Sequence, residues 1–383
     1  MSEEVVPHRD PATRKPKSKV LLILGYIGTD YHGSASNADV DHPTVEDTLL
    51  EALHTMKLID QTAGQDNWTT KLAFQRASRT DKGVHALSNA VSVNLHCEAK
   101  DLHKLPAQIH HFLPEKIRIF CALPVISSFN SYRLCTGRKY NYYLPLYSLL
   151  GPTKHLAFAE HIKSLQELDM PLGVNTLCGE STFCAEKYRC IENFMPDKCE
   201  LDSLLEKVNA LFSKFCGTHS FHNFTRKCDA AQASNYRYII EMKIKSFNID
   251  EVDYLAVHIH GQSFMLNQIR KMVGSAICAV NEGLSDSFFE SLLNKNVQKY
   301  IPMLPANGLV LESLDFHGYN SKLDRIQPFG NAKDKPKIDL SPFRDEMDEF
   351  ARRVQRQILE VEQTQRPMAY WLGNTMLSSS GAQ

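Results

Sequence analysis

The chain has 383 residues, of which 43% are hydrophobic and 9% aromatic, an ordinary globular composition that excludes fibrous and fully disordered proteins. Its longest strongly apolar run, from Val20 to Leu24, is far shorter than the roughly 20 residues that span a bilayer. With 43 basic and 44 acidic residues the formal net charge is −1, which taken alone argues against a nucleic-acid-binding protein.

The first residues carry a short basic cluster among prolines, consisting of Arg14, Lys15, Lys17 and Lys19. Such a cluster is typical both of a nuclear localisation signal and of a disordered tail. Glu3, Glu4 and the lack of an apolar segment argue against a secretory signal. We expect a nuclear protein, with the mitochondrion as the alternative location.

The length predicts two or three domains, at roughly 100–200 residues each. We place a disordered basic tail at 1–19, an N-terminal lobe at 20–123, a C-terminal lobe at 124–320, and a linker with a helical extension at 321–383.

The N-terminal lobe opens on a buried strand over 20–27. Thr44 and Asp47 form a variant capping box that begins an amphipathic helix over 45–58. Further along the chain, the patterns predict strands at 71–78, 91–95, 117–122 and 138–146, and a short helix at 102–112.

In the C-terminal lobe, residues 148–200 show no clean period and are interpreted as loop with short helices. The remaining patterns predict helices at 201–216, 263–280 (capped by Ser263) and 348–363, and strands at 236–247, 255–259 and 309–316. Strands interleaved with helices but without βαβ regularity indicate an α+β fold with a largely antiparallel sheet.

Two groups of cysteine and histidine residues could be read as metal sites: Cys178, Cys184, Cys190 and Cys199, and then Cys216, His219, His222 and Cys228. Neither group has the ligand spacing of a standard zinc site. The run from Ser220 to Phe224 also alternates as a strand does. We predict no metal site and free thiols, since no signal places the chain in an oxidising compartment.

The net charge hides three basic blocks, at 71–90, 104–143 and 222–245. Within 104–143, six basic residues stand against Glu115 alone. Tyrosines and phenylalanines interleave these blocks, a mixture that suits phosphates and exposed bases. The alternative is that the strand tyrosines belong to the core.

The string from Ala77 to Ala86 places one carboxylate, Asp81, among basic residues and before Gly83, which permits a tight turn. No second carboxylate is nearby for paired-acid chemistry. A lone aspartate here is either a turn former or a nucleophile or base that a cation keeps ionised.

This string resembles the catalytic loop of the TruA family of tRNA pseudouridine synthases, with the core Arg-Thr-Asp-x-Gly-Val. Further motifs over about residues 20–320 are similar to the family, especially its eukaryotic branch: Val20 to Gly33, Arg138 to Tyr142, Gly217 to Thr225, Gly261 to Gly274 and Gly308 to Glu312. The tail segment from Met368 to Leu372 also resembles that branch.

The resemblance implies two ferredoxin-like lobes that share a sheet, with a basic cleft between them. It implies Asp81 as the nucleophile that attacks the target uridine, and Arg270 as the cation that pairs with it. Tyr140 would stack on the base and help to deprotonate the rearranged ring. Arg79 would fill the space that the flipped nucleotide leaves. No cofactor is implied, because the reaction is an isomerisation.

The implied partner is tRNA, with mRNA or another structured RNA as a further target, and the chain is expected as a monomer or homodimer without a membrane. Ser34 and Ala35 stand where the family usually has a Trp-Gln or Met-Gln step. The alternative function is a non-catalytic RNA-binding or folding factor. The joint presence of Asp81, Tyr140 and Arg270 favours the enzyme.

Overall fold

The computed structural model describes residues 16–37, 41–60, 67–167, 187–226, 228–326 and 335–377. Within them, one sheet contains nine strands. The strands are β1 Lys17–Tyr26, β2 Gln75–Arg76, β3 His85–His96, β4 Ile117–Pro124, β5 Gly137–Pro145, β6 Gly217–Ser220, β7 Tyr236–Ile249, β8 Val252–Gly261 and β9 Leu309–Asp315.

The strand order is β4-β1-β3-β9-β5-β8-β7-β6, and the short β2 pairs with β3. The junction between β3 and β9 is parallel, with His85 opposite Val310 and Ala86 opposite Leu311. The other recorded pairings are antiparallel. The junction therefore joins the strands of the first third of the chain to those of the rest, and the predicted α+β class with a largely antiparallel sheet is confirmed.

The described helices pack on both faces of this sheet. They are α1 Val45–Thr55, α2 Trp68–Lys71, α3 Leu105–Ile109, α4 Ser131–Leu134, α5 Gly151–Glu167, α6 Lys198–Ser213, α7 Gln268–Asn281, α8 Asp286–Ser291, α9 His317–Ile326, α10 Arg344–Gln365 and α11 Pro367–Asn374. Short 3₁₀ turns lie at Ala99–Lys104, Leu146–Ser148, Arg189–Phe194, His222–Phe224, Ala233–Asn235 and Ser341–Phe343. None of the described helices is long and apolar enough to cross a bilayer.

Strand β1 is apolar on both sides because each of its faces meets a different core. Leu22 belongs to the larger core, together with Leu49 of α1. Its neighbour Ile23 belongs to the second core, together with Val354 and Ile358 of α10. The C-terminal helix α10 thus covers the second face of the sheet, which explains the unbroken apolar run of β1.

Several predicted boundaries are wrong. Residues 151–167, predicted as loop with short helices, form the long helix α5. Helix α7 begins at Gln268 rather than after Ser263, and Asn267 precedes it with a left-handed φ of 64°. The predicted strand at 71–78 is reduced to β2, because residues 68–71 form a helical turn.

The start of β1 and the end of the second lobe also differ from expectation. Strand β1 begins at Lys17, inside the predicted tail, and Lys19 donates a hydrogen bond to the carbonyl of Ala73 at 2.6 Å. Residues 317–326 are helical where a linker was predicted from 321. Strand β6 ends at Ser220, and the predicted alternation through Phe224 gives way to a 3₁₀ turn over His222–Phe224. Phe221, just before the turn, and His222 are both buried.

Candidate active site

A cleft with a volume of about 610 Å³ runs along the segment from Gln75 to Asp81. The opposite wall comes from β7 and from the segment that leads into α7. Five arginines line it: Arg76, Arg79, Arg138, Arg237 and Arg270. Asp81 is the one carboxylate among the described lining residues. The cleft is therefore basic, although the net charge of the chain is close to zero.

The loop that carries Asp81 is held by the loop that follows β1. The amide of Thr80 donates to Ser34 Oγ at 2.8 Å, and the amide of Ser34 donates to the Thr80 carbonyl at 3.1 Å. Gly33 stands beside this pair with a φ of +100°, and a Cβ there would lie 3.0 Å from the Thr80 carbonyl oxygen. The close approach of the two loops requires glycine at that position.

Below the loop, buried polar side chains fix its backbone. Tyr26 and Thr80 share a hydroxyl–hydroxyl hydrogen bond of 2.8 Å. The side-chain amide of Asn89 donates to the hydroxyl of Tyr26 at 3.1 Å and to the carbonyl of Ser78 at 3.0 Å. Because buried donors and acceptors are costly to leave unpaired, this network resists displacement of residues 78–80.

His85 closes the other end of the loop, where β3 begins. Its Nδ1 accepts a hydrogen bond from the amide of Gly28 at 3.1 Å, so its Nε2 must carry the proton that it shares with the Asn307 carbonyl at 3.0 Å. Burial lowers the pKa of His85 to about 4. The ring is therefore neutral near pH 7 and ties β1, β3 and the approach to β9 together.

Asp81 lies part-buried at the cleft wall. Burial raises the pKa of its carboxyl, while the guanidinium groups of Arg270 and, less strongly, Arg226 act to lower it. The two cations thus offset part of the cost of burying the carboxylate.

Arg270 projects from the first turn of α7 and is buried. Its Nε donates to the Leu304 carbonyl at 2.7 Å, which fixes the guanidinium. No hydrogen bond or ion pair within 4.0 Å joins Arg270 to Asp81 among the interactions of the described residues. The predicted partners both line the cleft and interact electrostatically.

Tyr140 lies on β5, next to the sheet junction, and only 5% of its surface is exposed. Its hydroxyl shares a hydrogen bond of 3.0 Å with Ser78 Oγ, and its ring packs edge-to-face on Phe264 with 5.4 Å between the ring centres. Burial raises the pKa of Tyr140, and the charge of Asp81 raises it further. The phenol is therefore protonated near neutral pH.

The remaining predicted residue, Arg79, is exposed at the rim of the cleft. Two other arginines of the cleft are structural. Arg138 donates to the carbonyls of Ala77 at 2.8 Å and Gln262 at 2.6 Å, and so connects the two walls. Arg76 forms a two-pronged ion pair with the buried Glu46 of α1.

The position of Arg226 beside the cleft is not predictable from the sequence, in which Arg226 is one member of the basic block at 222–245. Arg226 is exposed and follows a 3₁₀ turn that is fastened to α7, since Lys271 Nζ donates to the Thr225 carbonyl at 2.6 Å and Thr225 Oγ1 donates to the Leu266 carbonyl at 3.0 Å. These contacts bring a second guanidinium towards Asp81. Only the basic character of residues 222–245 hinted at it.

The second cysteine and histidine group is not assembled as a ligand set. The ring of His219 bonds to the Cys216 carbonyl at 2.9 Å, that of His222 bonds to the Val297 carbonyl at 2.9 Å, and Cys228 donates to Asn235. No cluster of three or more potential metal ligands occurs in the described part of the chain. Cys178 and Cys184 of the first group lie outside it.

A cleft lined by arginines, with one carboxylate among its described lining residues, suits an RNA strand and a reaction at that carboxylate. The comparisons identify the family. Residues 211–317 match the family described as tRNA pseudouridine synthase. This chain belongs to that family.

Three relatives illustrate the likeness. tRNA pseudouridine synthase 1 of Saccharomyces cerevisiae is 32% identical over 382 residues, which cover 87% of this chain and 66% of the relative. Pseudouridylate synthase 1 homolog of Mus musculus is 31% identical over 370 residues, or 96% of this chain and 75% of the relative. tRNA pseudouridine(27/28) synthase of Saccharomyces cerevisiae is 31% identical over 329 residues, which cover 80% of this chain and 86% of the relative. The chain thus spans just under two thirds of the first relative.

Proposed function

We propose that this chain isomerises uridines in tRNA to pseudouridine, with Asp81 as the nucleophile. The observation that carries the proposal is the placement of Asp81 as the lone described carboxylate of a cleft lined by five arginines. Arginines suit the phosphates of an RNA strand, and Arg270 and Arg226 favour the ionised form of the aspartate. The relatives' names supply the substrate class.

The reaction requires no external reagent. The bond between N1 of uracil and C1′ of the ribose breaks, and a bond between C5 and C1′ forms. The C5 hydrogen leaves as a proton, and N1 gains a proton, so the atoms balance. An ionised Asp81 would attack the nucleotide and keep the two fragments together while the uracil rotates.

The ring of Tyr140 is suited to hold the uracil by stacking. Its raised pKa makes the hydroxyl a poor base near pH 7, and the hydroxyl is already engaged with Ser78. These contacts favour the stacking role over the predicted role in deprotonation.

Access to the ribose requires the target nucleotide to leave its stack. Arg79 is exposed at the rim, beside Asp81 in the sequence, and its long side chain is free of hydrogen bonds to the described residues. It is therefore available to occupy the gap that a flipped nucleotide leaves in the helix.

We also propose that the protein acts in the nucleus, and that its targets include mRNA or another structured RNA in addition to tRNA. The basic residues near the N-terminus support a nuclear address, although Lys17 and Lys19 lie in β1. Helix α10 covers the second face of the sheet, which supports a monomer. Imaging of the tagged protein tests the nuclear location, and light scattering tests the oligomeric state. Mapping of pseudouridine in tRNA and mRNA, with and without the protein, tests the targets.

The activity itself is tested with tRNA that carries tritium at C5 of uridine. Because the C5 hydrogen leaves during isomerisation, the purified protein should release tritium into water and form pseudouridine in equal amounts. Binding of tRNA without tritium release would support the non-catalytic RNA-binding factor instead.

A further inference from the structure

Away from Asp81, the cleft holds an aromatic ring and a guanidinium group that the catalytic roles do not use. Tyr132 and Arg237 both line it, Tyr132 from α4 and Arg237 from β7. Tyr132 is adjacent to Ser131, whose hydroxyl donates to the carbonyl of Gln75 at 2.6 Å. Gln75 stands six residues before Asp81, so this end of the wall lies at most about 20 Å from the nucleophile.

Tyr132 is presented to solvent on a fixed backbone. Its relative exposure is 63%, among the highest of the large hydrophobic side chains in the described part of the chain. Ser131 is fully buried, and Asn130 accepts a hydrogen bond from the amide of Arg133 at 3.0 Å. The ring thus contributes little to the core, while the short helix that carries it is held in place.

Arg237 is oriented by backbone carbonyls at the start of β7 and in the 3₁₀ turn before it. Its Nη1 donates to the carbonyls of Ser234 at 2.5 Å and Tyr236 at 2.7 Å. Its Nε is buried without a partner, and Nη2 donates to none of the described residues. Partial burial lowers the pKa of Arg237, and the Tyr132 hydroxyl acts in the opposite direction, so the two side chains lie within electrostatic reach of each other. The guanidinium is fixed and still has donors to spare.

We propose that Tyr132 and Arg237 form a second nucleotide subsite, which binds an unpaired nucleotide a few positions from the target uridine. The ring would stack on the base, and the guanidinium would bind the adjoining phosphate. Exposed aromatic rings bind single-stranded bases by stacking, and guanidinium groups bind phosphate oxygens in pairs. The inference rests on the proposed function, because it assumes an RNA strand in the cleft.

The subsite predicts that the enzyme recognises a target beside unstacked nucleotides rather than inside an undisturbed stem. Replacing Tyr132 should weaken the use of RNA without altering the fold, because the ring is exposed. Tyr132→Ala should reduce kcat/KM by about 5- to 150-fold, the range for the loss of one stacked base. Tyr132→Phe keeps the ring and should stay within about twofold of the parent.

The decisive experiment combines Tyr132→Ala with RNA substrates that lack one base at each position flanking the mapped target. Tritium release is measured for both proteins on every substrate. At one flanking position, the missing base and Tyr132→Ala should each reduce kcat/KM for tritium release, but the two reductions should not add, because both changes remove the same contact. Additive losses at every position, or unchanged kinetics of Tyr132→Ala, would overturn the subsite while the parent enzyme stays active. Failure of the parent enzyme on intact tRNA would instead count against the proposed function.

Discussion

Ser34 and Thr80 exchange two hydrogen bonds, of 2.8 and 3.1 Å, and thereby fix the loop that carries Asp81 to the loop after the first strand. Ser34 stands where the family usually has a bulky aromatic or methionine side chain. Here, a small hydroxyl residue accepts from the Thr80 amide instead. The departure in sequence therefore leaves the loop that carries Asp81 hydrogen-bonded to the loop after β1.

Removal of that hydroxyl should disturb the active site more than the fold. Ser34→Ala leaves the buried amide of Thr80 without its acceptor, which costs about 1–3 kcal/mol. We expect a fall in kcat of roughly tenfold and a fall in the free energy of unfolding within that range. Ser36→Ala is the matched control, because the recorded contact of Ser36 is made by its backbone amide. Equal effects of the two variants would refute the anchoring role of Ser34.

Arg226 should influence the ionisation of Asp81 from a distance. Arg226→Gln removes a cation that lowers the pKa of Asp81, so the acidic limb of the pH–rate profile should move to higher pH. The loss of activity at low pH should reach about fivefold, the equivalent of about 1 kcal/mol for a solvent-exposed charge pair. Lys82→Gln removes a neighbouring exposed cation and serves as the control. A uniform loss of activity at all pH values would point to RNA binding alone.

His85 should make the fold sensitive to acid. Its pKa is about 4 in the folded protein and about 6.5 when unfolded, so the unfolded chain binds more protons between these values. The stability present above pH 6.5 should be lost as the pH falls towards 4, by up to about 3 kcal/mol. Denaturant unfolding of His85→Gln should show a flatter dependence over this window than the parent. The exposed His103→Gln should behave as the parent does, whereas a difference between His85→Gln and the parent that stays constant from pH 6.5 to 4 would contradict the assignment.

Glu362 should change the stability of the fold with pH in the direction opposite to His85. It is buried beneath the start of α11, where it accepts hydrogen bonds from Tyr147 and from the amide of Met368. Burial raises its pKa from 4.5 to about 7, so the folded protein binds more protons between these values, and stability should fall as the pH rises across them.

The measurement is the difference in unfolding free energy between Glu362→Gln and the parent from pH 4.5 to 7.5. The variant should gain up to about 3 kcal/mol relative to the parent over this window. Glu360→Gln changes an exposed neighbour on the same helix and should show no such trend. A difference that is constant with pH would show that Glu362 is ionised throughout.

Much of the fold was predictable where one local signal dominates. The amide of Asp47 donates to Thr44 Oγ1 at the start of α1, as a capping box predicts, and the Thr44 hydroxyl in turn donates to the Asp47 carboxylate. The alternation in β7 and β8 and the apolar stripe of α6 also produced the expected elements.

Helix α5 was missed because its buried face does not look apolar in the sequence. Its buried face begins with His155 and continues with Phe158 and Ile162, so a polar residue type occupies the first buried position. Leu156 is 52% exposed and breaks the apparent period. The buried ring of His155 bonds to the carbonyl of Leu372, a contact that no local pattern reveals.

The candidate site also has a part that local sequence motifs predict and a part that depends on contacts between residues distant in sequence. The motif around Asp81 and the tyrosine of β5 stood out locally, whereas the approach of Arg226 depends on Lys271 and Thr225, which are 46 residues apart in the sequence. The mistaken start of α7 has a similar cause. The residues before Gln268 line the cleft, and the carbonyl of Leu266 accepts from Thr225, so a tertiary contact replaces the predicted cap.

The most direct test of the account is tritium release from C5-labelled tRNA by Asp81→Ala, measured together with its affinity for the same tRNA. Pseudouridine formation should fall below detection, while the dissociation constant stays within a few-fold of the parent because the arginines of the cleft remain. Asp81→Ala that still converts uridine would contradict Asp81 as the nucleophile.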